Sequence, residues 1–563
     1  MKQAKNKFWP KGVPLSCMVP QVTLPHFLEA AALRYPEKTA IVYCGENISY
    51  ARLKQYVDAM SGYMQKQMHI AKGDRVLLMS QNCPQFVIVY YAVLQLGGVI
   101  VPVNAMCTTP EIQYYMEDSG ARCAFVAQEL LPQILPCMAQ NRPDGLRHVM
   151  VHAYGDFVAD LNNPDLPDLV KQAKAWEPAP GLVDFAAAVA AALPLSPVQV
   201  DPDDFCVLPY TSGTTGHPKG CIHTHATLLA SLNSSAIWRS LHAESVFLAV
   251  APMFHMLGMQ NGMNLPIMLG ATVVMMPRWH AGQALALIEK HRVSVWTAPP
   301  AMVLDCFSQP DVLQRDLSSL ALLGGGGAAM PEAVATMLKE RFDIVYNEGY
   351  GMTETASFLH CNPVAHAKRQ CLGIPTQDVD SRIVDPGTLQ ELPQGEVGEL
   401  VTSGKQVMKG YWNNEQANEE SFIELDGKRF FRTGDLARID EDGYFFMSDR
   451  LKRMINVSGY KVWPSEVENA MYQHPAIHEV CIVGIQDERK GEVVKALVVL
   501  KPGYEGRVSG QEIIDWAREI MAVYKAPRLV QFVDGLPKSN TGKIMWRKLQ
   551  EEQNEPQASG SAC

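Results

Sequence analysis

The sequence predicts an α/β fold: parallel sheets covered by helices, ending in a compact α+β unit. Three observations carry this. Strand-like and helix-like patterns alternate along most of the chain, as parallel sheets with helical crossovers require. The 563 residues exceed what one core holds, so the chain should divide into domains. The 47% apolar fraction is that of a globular chain. In order, Thr39–Tyr43 reads as a strand, 50–65 as an amphipathic helix, 74–79 as a strand, 85–96 as a helix and Val99–Val103 as a strand. Residues 156–200, rich in proline, acid and alanine, predict loops and a short helix. Residues 205–209 read as a short strand, and the alternation returns at 271–276, Ala281–His291 and 293–297. A turn at 440–443 leads to a strand at 444–447. Beyond it Pro464 signals a helix over 465–474, followed by strands at 480–485 and 495–500 and a helix over 510–521. The polar tail from Glu551 predicts disorder.

The net charge of −10 argues against nucleic acid as the main partner. The 13 cysteines include no Cys-x-x-Cys pair and no cysteine–histidine cluster, which suits reduced core thiols better than zinc ligation. Residues 1–15 carry lysines with no apolar run behind them, 185–193 is too short to span a bilayer, and the last three residues are not a peroxisomal signal. A cytoplasmic protein is the expectation, with peripheral membrane contact and a homodimer left open.

The densest chemistry lies at 210–220, Tyr-Thr-Ser-Gly-Thr-Thr-Gly-His-Pro-Lys-Gly. Gly213 and Gly216 let the backbone turn so that successive N–H groups face one concavity. Thr211, Ser212, Thr214 and Thr215 add hydroxyls, and Lys219 adds a point charge. Such a loop suits a polyphosphate, although the Walker A spacing is absent. A flexible surface turn would need glycine and serine but not this order.

Four further motifs follow: Tyr350-Gly351-Met352-Thr353-Glu354; Thr433-Gly434-Asp435; Asp449-Arg450-Leu451-Lys452 with Ser458-Gly459-Tyr460; and Pro537-Lys538-Ser539-Asn540-Thr541-Gly542-Lys543. With the loop, their order resembles the adenylate-forming superfamily, which includes acyl-CoA synthetases, peptide-synthetase adenylation domains and firefly luciferase. The first two hundred residues match only in general character. The resemblance implies a large N-terminal domain (1–449) of parallel sheets with a small β-barrel-like part. It also implies a mobile C-terminal lid (450–550) hinged between Asp449 and Arg453, and a tail at 551–563. The implied reaction has two steps. A carboxylic acid attacks the α-phosphate of ATP to give an acyl-adenylate and pyrophosphate, and the thiol of CoA then displaces AMP.

The first step joins two anions and therefore needs positive charge. By resemblance Lys543 is the catalytic lysine of adenylation, and Glu354 holds Mg²⁺. Thr353 offers its hydroxyl to the α-phosphate, and Tyr350 a face for adenine. Asp435 and Arg450 would bind the ribose, with a surface salt bridge as the rival reading. Lys452 takes the hinge position. Gly459 lines the path of the CoA arm, and Lys461 is a candidate for a phosphate of CoA or AMP.

The acid should lie against 251–259. Amino-acid-activating relatives carry aspartate directly after the phenylalanine, and here that position is His255, which points to a CoA ligase; a core histidine is the alternative. Met259, Gly325, Gly326, Gly327 and Ala328 read as pocket wall, since small residues and flexible methionines leave an adaptable apolar lining. Plain core is the alternative for the methionines. No lysine or arginine lies in these stretches to pair with a second carboxylate. A medium- to long-chain fatty acid is the expected substrate. The alternatives are an aromatic acid, or an adenylating enzyme that loads a carrier protein instead of CoA.

Overall fold

The computed structural model describes residues 6–139, 144–177, 179–211, 218–326, 330–457, 460–487, 491–538 and 544–554. The chain forms two compact units, Met1–Asp380 with Ser403–Phe431, and Ser381–Thr402 with Arg432–Cys563.

The first unit contains two large sheets. In the nine-stranded sheet, the strands Tyr346–Tyr350, Leu322–Gly325, Val295–Thr297, Val246–Ala249, Thr272–Met275 and Thr39–Tyr43 lie side by side in that order and are parallel. Antiparallel strands close both edges. The seven-stranded sheet centres on the parallel strands Val99–Val103, Arg75–Met79 and Cys123–Ala127. Two of these, Val-Ile-Val-Pro-Val and Cys-Ala-Phe-Val-Ala, are buried at every residue, as parallel strands covered on both faces must be. The helix Pro84–Gln95 is apolar all round and buried from Pro84 to Leu94, which places it inside the main core.

In the second unit the end of the strand Lys428–Ile439 pairs antiparallel with Phe445–Arg450 in a curled half-barrel. The C-terminal part is α+β. Its strands Ile477–Asp487 and Gly491–Leu500 pair antiparallel along their length, and Leu529–Phe532 joins parallel. The helices Pro464–Met471 and Gly510–Ile520 cover a core that includes Val467, Ile482, Val498 and Ile513.

Thr39–Tyr43, Val99–Val103 and Ala281–His291 take the predicted bounds. Three differences stand out. The strand predicted at 444–447 continues to Arg450, because the bulged ladder opposite the strand Lys428–Ile439 carries it on to the Asp435–Arg450 pair. Within 156–200 a strand, Leu182–Asp184, adds itself to the seven-stranded sheet. The tail expected to be disordered from Glu551 is helical as far as Asn554, within the helix Trp546–Asn554. Tertiary contacts hold that helix: Leu549 is buried, and the Gln550 side chain exchanges hydrogen bonds with the Gly484 backbone. Among the described residues no helix is long and apolar enough to cross a membrane.

Candidate active site

The phosphate-loop candidate is a hairpin. Tyr210–Thr211 pairs with Lys219–Gly220, Thr211 facing Lys219. Ser212, Gly213, Thr214, Thr215 and Gly216 lie outside the described residues. The hairpin is braced from the helix Thr109–Ser119: the Tyr114 hydroxyl donates to the Pro218 carbonyl at 2.6 Å, and Tyr115 packs edge-on against Tyr210 at 4.8 Å between ring centres.

Lys219 projects its ammonium 5.1 Å from the centre of the Tyr411 ring. The hydroxyl of that same tyrosine donates to Glu354 Oε1 at 3.0 Å. Burial, and then the Glu354 charge, push the Tyr411 phenol far up, so it stays a donor. One aromatic side chain thus ties the lysine of the loop to the carboxylate expected to hold a metal. The sequence reading missed Tyr411. It stands 57 residues from Glu354, and only its place in Gly410-Tyr411-Trp412, whose backbone bonds to Gly220 and Ile222, would have flagged it.

Glu354 and Thr353 occupy a short 3₁₀ turn, Thr353–Thr355, after the strand that ends at Tyr350. Gly351 is needed there: a Cβ would lie 1.3 Å from the Ser357 carbonyl oxygen. The turn closes through Ala356 and Ser357, both with positive φ. A second histidine, unremarked in the sequence, holds it. His223 is buried, and its Nε2 donates to the Thr353 carbonyl at 2.8 Å while Nδ1 accepts from the Thr227 hydroxyl at 3.1 Å. Burial lowers its imidazole to about 4, so the ring is neutral near pH 7. Tyr350 leans on the buried His360, with ring centres 5.6 Å apart.

On the acid side, His255 is exposed and caps the helix Met256–Met259, its Nδ1 accepting from Leu257 N at 3.3 Å. The methionine run belongs to the main core: Met253, Met256, Met259 and Met263 are all at most 2% exposed there. The glycine run is likewise no open wall. A Cβ on Gly325 would lie 2.2 Å from the Ala298 oxygen, and one on Gly326 would lie 2.4 Å from the Gly349 oxygen. These glycines permit close backbone approach between neighbouring elements. Gly327 and Ala328 fall outside the described residues.

The enclosed space lies nearby. A small cavity, about 10 Å³ open to the centre of a water molecule, lies between the strand Val246–Ala249 and the helical segment after His255, with Val250, Leu257, Asn261, Gly262 and Thr297 in its lining. Residues Gln260–Asn264 form a π-helical turn, a distortion common at functional sites. Two residues outside the predicted stretches shape this region. Asn82 is buried, and its amide donates to the Ala251 carbonyl at 3.1 Å and accepts from Met253 N at 2.8 Å, pinning the segment that leads to His255. Arg239, at the end of the helix His225–Trp238, donates to Asn261 Oδ1 at 3.1 Å.

In the second unit Arg450 Nε and Asp435 Oδ1 are 3.1 Å apart, with the Asp435 side chain 1% exposed and that of Arg450 42%. The pair that sequence assigned to one ribose is therefore joined as an ion pair. Lys452 lies in the 3₁₀ turn Leu451–Arg453. Asp449 flanks the turn, its carboxylate accepting from Arg450 N at 2.6 Å and from Ser465 N at 2.7 Å. Gly459 and Lys543 lie outside the described residues.

Comparison with known proteins identifies the family. The family model described as AMP-binding enzyme matches residues 28–412, and that of the AMP-binding enzyme C-terminal domain matches 466–543. A long-chain-fatty-acid–CoA ligase of Bacillus subtilis is 33% identical over 558 residues, 97% of each chain. A feruloyl-CoA synthase of an Amycolatopsis species is 34% identical over 515 residues, 91% of this chain and 95% of its own. Among solved structures, an anthranilate CoA ligase in complex with anthranoyl-AMP superposes with a TM-score of 0.80 at 26% identity, covering 96% of this chain and 98% of that one. The chain belongs to the AMP-binding, adenylate-forming enzyme family.

Proposed function

We propose that this AMP-forming acid–CoA ligase activates a medium- to long-chain fatty acid, through an acyl-adenylate formed from ATP and resolved by CoA. The observation that carries the adenylation site is the Lys219–Tyr411–Glu354 cluster, which gathers a cation and a carboxylate beside the phosphate-loop hairpin. In the first step a carboxylate oxygen of the acid bonds to the α-phosphorus and pyrophosphate leaves with the electrons of the broken P–O bond. Lys543 would neutralise the charge where the two anions meet, and Lys219 the outer phosphates. Thr353 would donate its hydroxyl to the α-phosphate, Tyr350 would stack on adenine, and Asp435 and Arg450 would exchange their pairing for the ribose hydroxyls. In the second step the CoA sulfur attacks the acyl carbonyl and AMP departs. Lys452 would turn the C-terminal residues between the two steps, and Gly459 would let the CoA arm pass.

For Mg²⁺ the donor set fits. Among the described residues no cluster of three or more His, Cys, Asp or Glu could cage a metal. Glu354 is a single buried carboxylate, and Mg²⁺ takes one or two carboxylates and completes its shell with phosphate oxygens and water. When bound, the ion would offset phosphate charge; Glu354 would hold it, and Tyr411 would orient Glu354.

The fatty-acid reading draws on the full-length similarity to the Bacillus ligase and on the apolar walls at Val250 and Leu257. The feruloyl and anthranilate relatives support an aromatic acid as the second reading. The test is pyrophosphate release with ATP, with and without CoA, over acids from butyrate to palmitate plus benzoate and coumarate. CoA-dependent turnover peaking at a medium or long alkyl length is expected. Release that ignores CoA would favour a carrier-protein acceptor, and a flat alkyl response with strong benzoate or coumarate turnover would establish the aromatic reading. No release with any acid would overturn the ligase proposal.

A further inference from the structure

The turn that carries Thr353 and Glu354 runs directly into a strained reversal. Ala356 and Ser357 have φ of 51° and 79°, and among the described residues they are the only adjacent non-glycine pair in the left-handed region. A Cβ disfavours that backbone. Residues persist in it where their neighbours over-determine them, and such residues gather at functional sites.

The neighbours that hold this reversal come from two helical elements. Ser231, on the helix His225–Trp238, is buried. Its hydroxyl donates to the Ala356 carbonyl at 2.6 Å and accepts from Phe358 N at 3.3 Å, so one side chain closes the reversal from both ends. Gln260, on the π-helical turn, is buried as well. Its Nε2 donates to the Leu228 carbonyl at 3.2 Å and reaches the Ala356 carbonyl at 3.5 Å. Its Oε1 accepts from Asn264 Nδ2 at 2.9 Å, which fixes the amide with its N–H groups toward the reversal. Asn261 follows, donating to the Ser357 hydroxyl at 3.3 Å. The Ser357 carbonyl then rests against the bare Cα of Gly351. Thr353 and Glu354 thus sit between two fixed points, Gly351 and the reversal at 356–357.

We infer that Ser231 and Gln260 are positioning residues for adenylation: they hold the strained reversal, and through it they aim the Thr353 hydroxyl and the Glu354 carboxylate at ATP and its cation. This rests on the roles proposed above for Thr353 and Glu354 and adds the residues that set them. Without the Ser231 hydroxyl the buried Phe358 N–H loses its acceptor, and Ala356 is free to relax toward ordinary backbone and swing the turn. A displacement of about 1 Å in groups that meet a reacting centre can slow the reaction by roughly a hundredfold.

The test compares the wild type with Ser231→Ala. Acid-dependent pyrophosphate release should fall roughly tenfold or more. The calorimetric Kd for ATP should weaken about fivefold in Mg²⁺ and by less than about twofold in EDTA, because the cation is what Glu354 would hold. CoA-ester formation from pre-made acyl-adenylate should fall by less than about threefold, since pyrophosphate and its cation have no part in that step. Adding Ala356→Gly should recover about half or more of the lost ATP affinity, because glycine takes positive φ without a Cβ. Gln260→Met keeps the length and loses the donor. It should slow release by about threefold with the same dependence on Mg²⁺, and it serves should Ser231→Ala fail to fold. Equal loss of both half-reactions, an ATP affinity in Mg²⁺ that neither variant changes, or a loss that Ala356→Gly leaves untouched overturns the inference while the ligase reading stands. A wild type that releases no pyrophosphate with any acid overturns both.

Discussion

The nucleotide side and the acid side of the first unit solve different problems with different materials. Around Glu354, polar side chains converge: Tyr411 on its carboxylate, His223 on the carbonyl before it, and Lys219 over the Tyr411 ring. Around the cavity, backbone and apolar groups dominate, and the polar groups are few and individually pinned, as Asn82 pins Ala251 and Met253. A phosphate chain demands the same charges whatever acid is used, so that side is written in residue types. The acid side is written in shape, where a single Cβ decides the volume.

The largest effect should come from the nucleotide side. Lys543→Ala should slow adenylation by roughly a hundredfold or more, measured as acid-dependent pyrophosphate release. Thioester formation from pre-made acyl-adenylate and CoA should persist; equal loss of both half-reactions would remove the lysine from its role. Next comes Glu354→Gln, which keeps shape and loses charge. Adenylation should fall about tenfold or more, with the Mg²⁺ concentration for half-maximal rate moving upward, because a hard cation prefers carboxylate oxygen. An unchanged Mg²⁺ titration would make Glu354 a structural partner of Tyr411 and nothing else.

The two sides also differ in how much the sequence disclosed. The motifs named Tyr350, Thr353, Glu354, Asp435 and Arg450 because each needs a particular functional group at a fixed backbone position, and the fold followed from alternating apolar patterns. Gly351 stands in the same motif, but its reason, that no larger residue fits against Ser357, comes from the structure. Tyr411 and His223 were not, because their roles arise from contacts across long stretches of chain that no local pattern encodes. The reading of Gly325 and Gly326 as open wall failed on direction. Composition says that a residue is small, but not whether the vacant Cβ position faces a ligand or, as here, a neighbouring carbonyl. Arg239 escaped because the search for a cation stayed within 251–259 and the glycine run, while the end of the helix His225–Trp238 delivers one from outside them.

A more moderate effect tests the pinning of the acid side. Asn82→Ala removes both bonds to the 251–253 backbone and leaves a buried N–H and a buried C=O unsatisfied. Thermal or denaturant unfolding should show a loss of about 1–3 kcal/mol. KM for the acid should rise with KM for ATP little changed. If both constants rise together, Asn82 supports the whole unit and has no special hold on the acid segment.

The smallest effect is the most informative about shape. Gly262 lines the cavity, and a Cβ there would sit 3.3 Å from the Ala249 Cβ, tight but open to small adjustment. Gly262→Ala should therefore fold and take one methyl group from the acid's space. The longest well-used acid should lose about 0.8 kcal/mol of binding, close to fourfold in kcat/KM, and the optimum should shift by about one carbon toward shorter acids. Gly325→Ala offers the contrast: its Cβ would be driven against the Ala298 oxygen, so it should cost stability and leave the chain-length profile of whatever protein folds unchanged. A Gly262→Ala profile identical to the wild type would place the acid elsewhere. A shifted profile for Gly325→Ala at full stability would return the glycine run to the pocket wall.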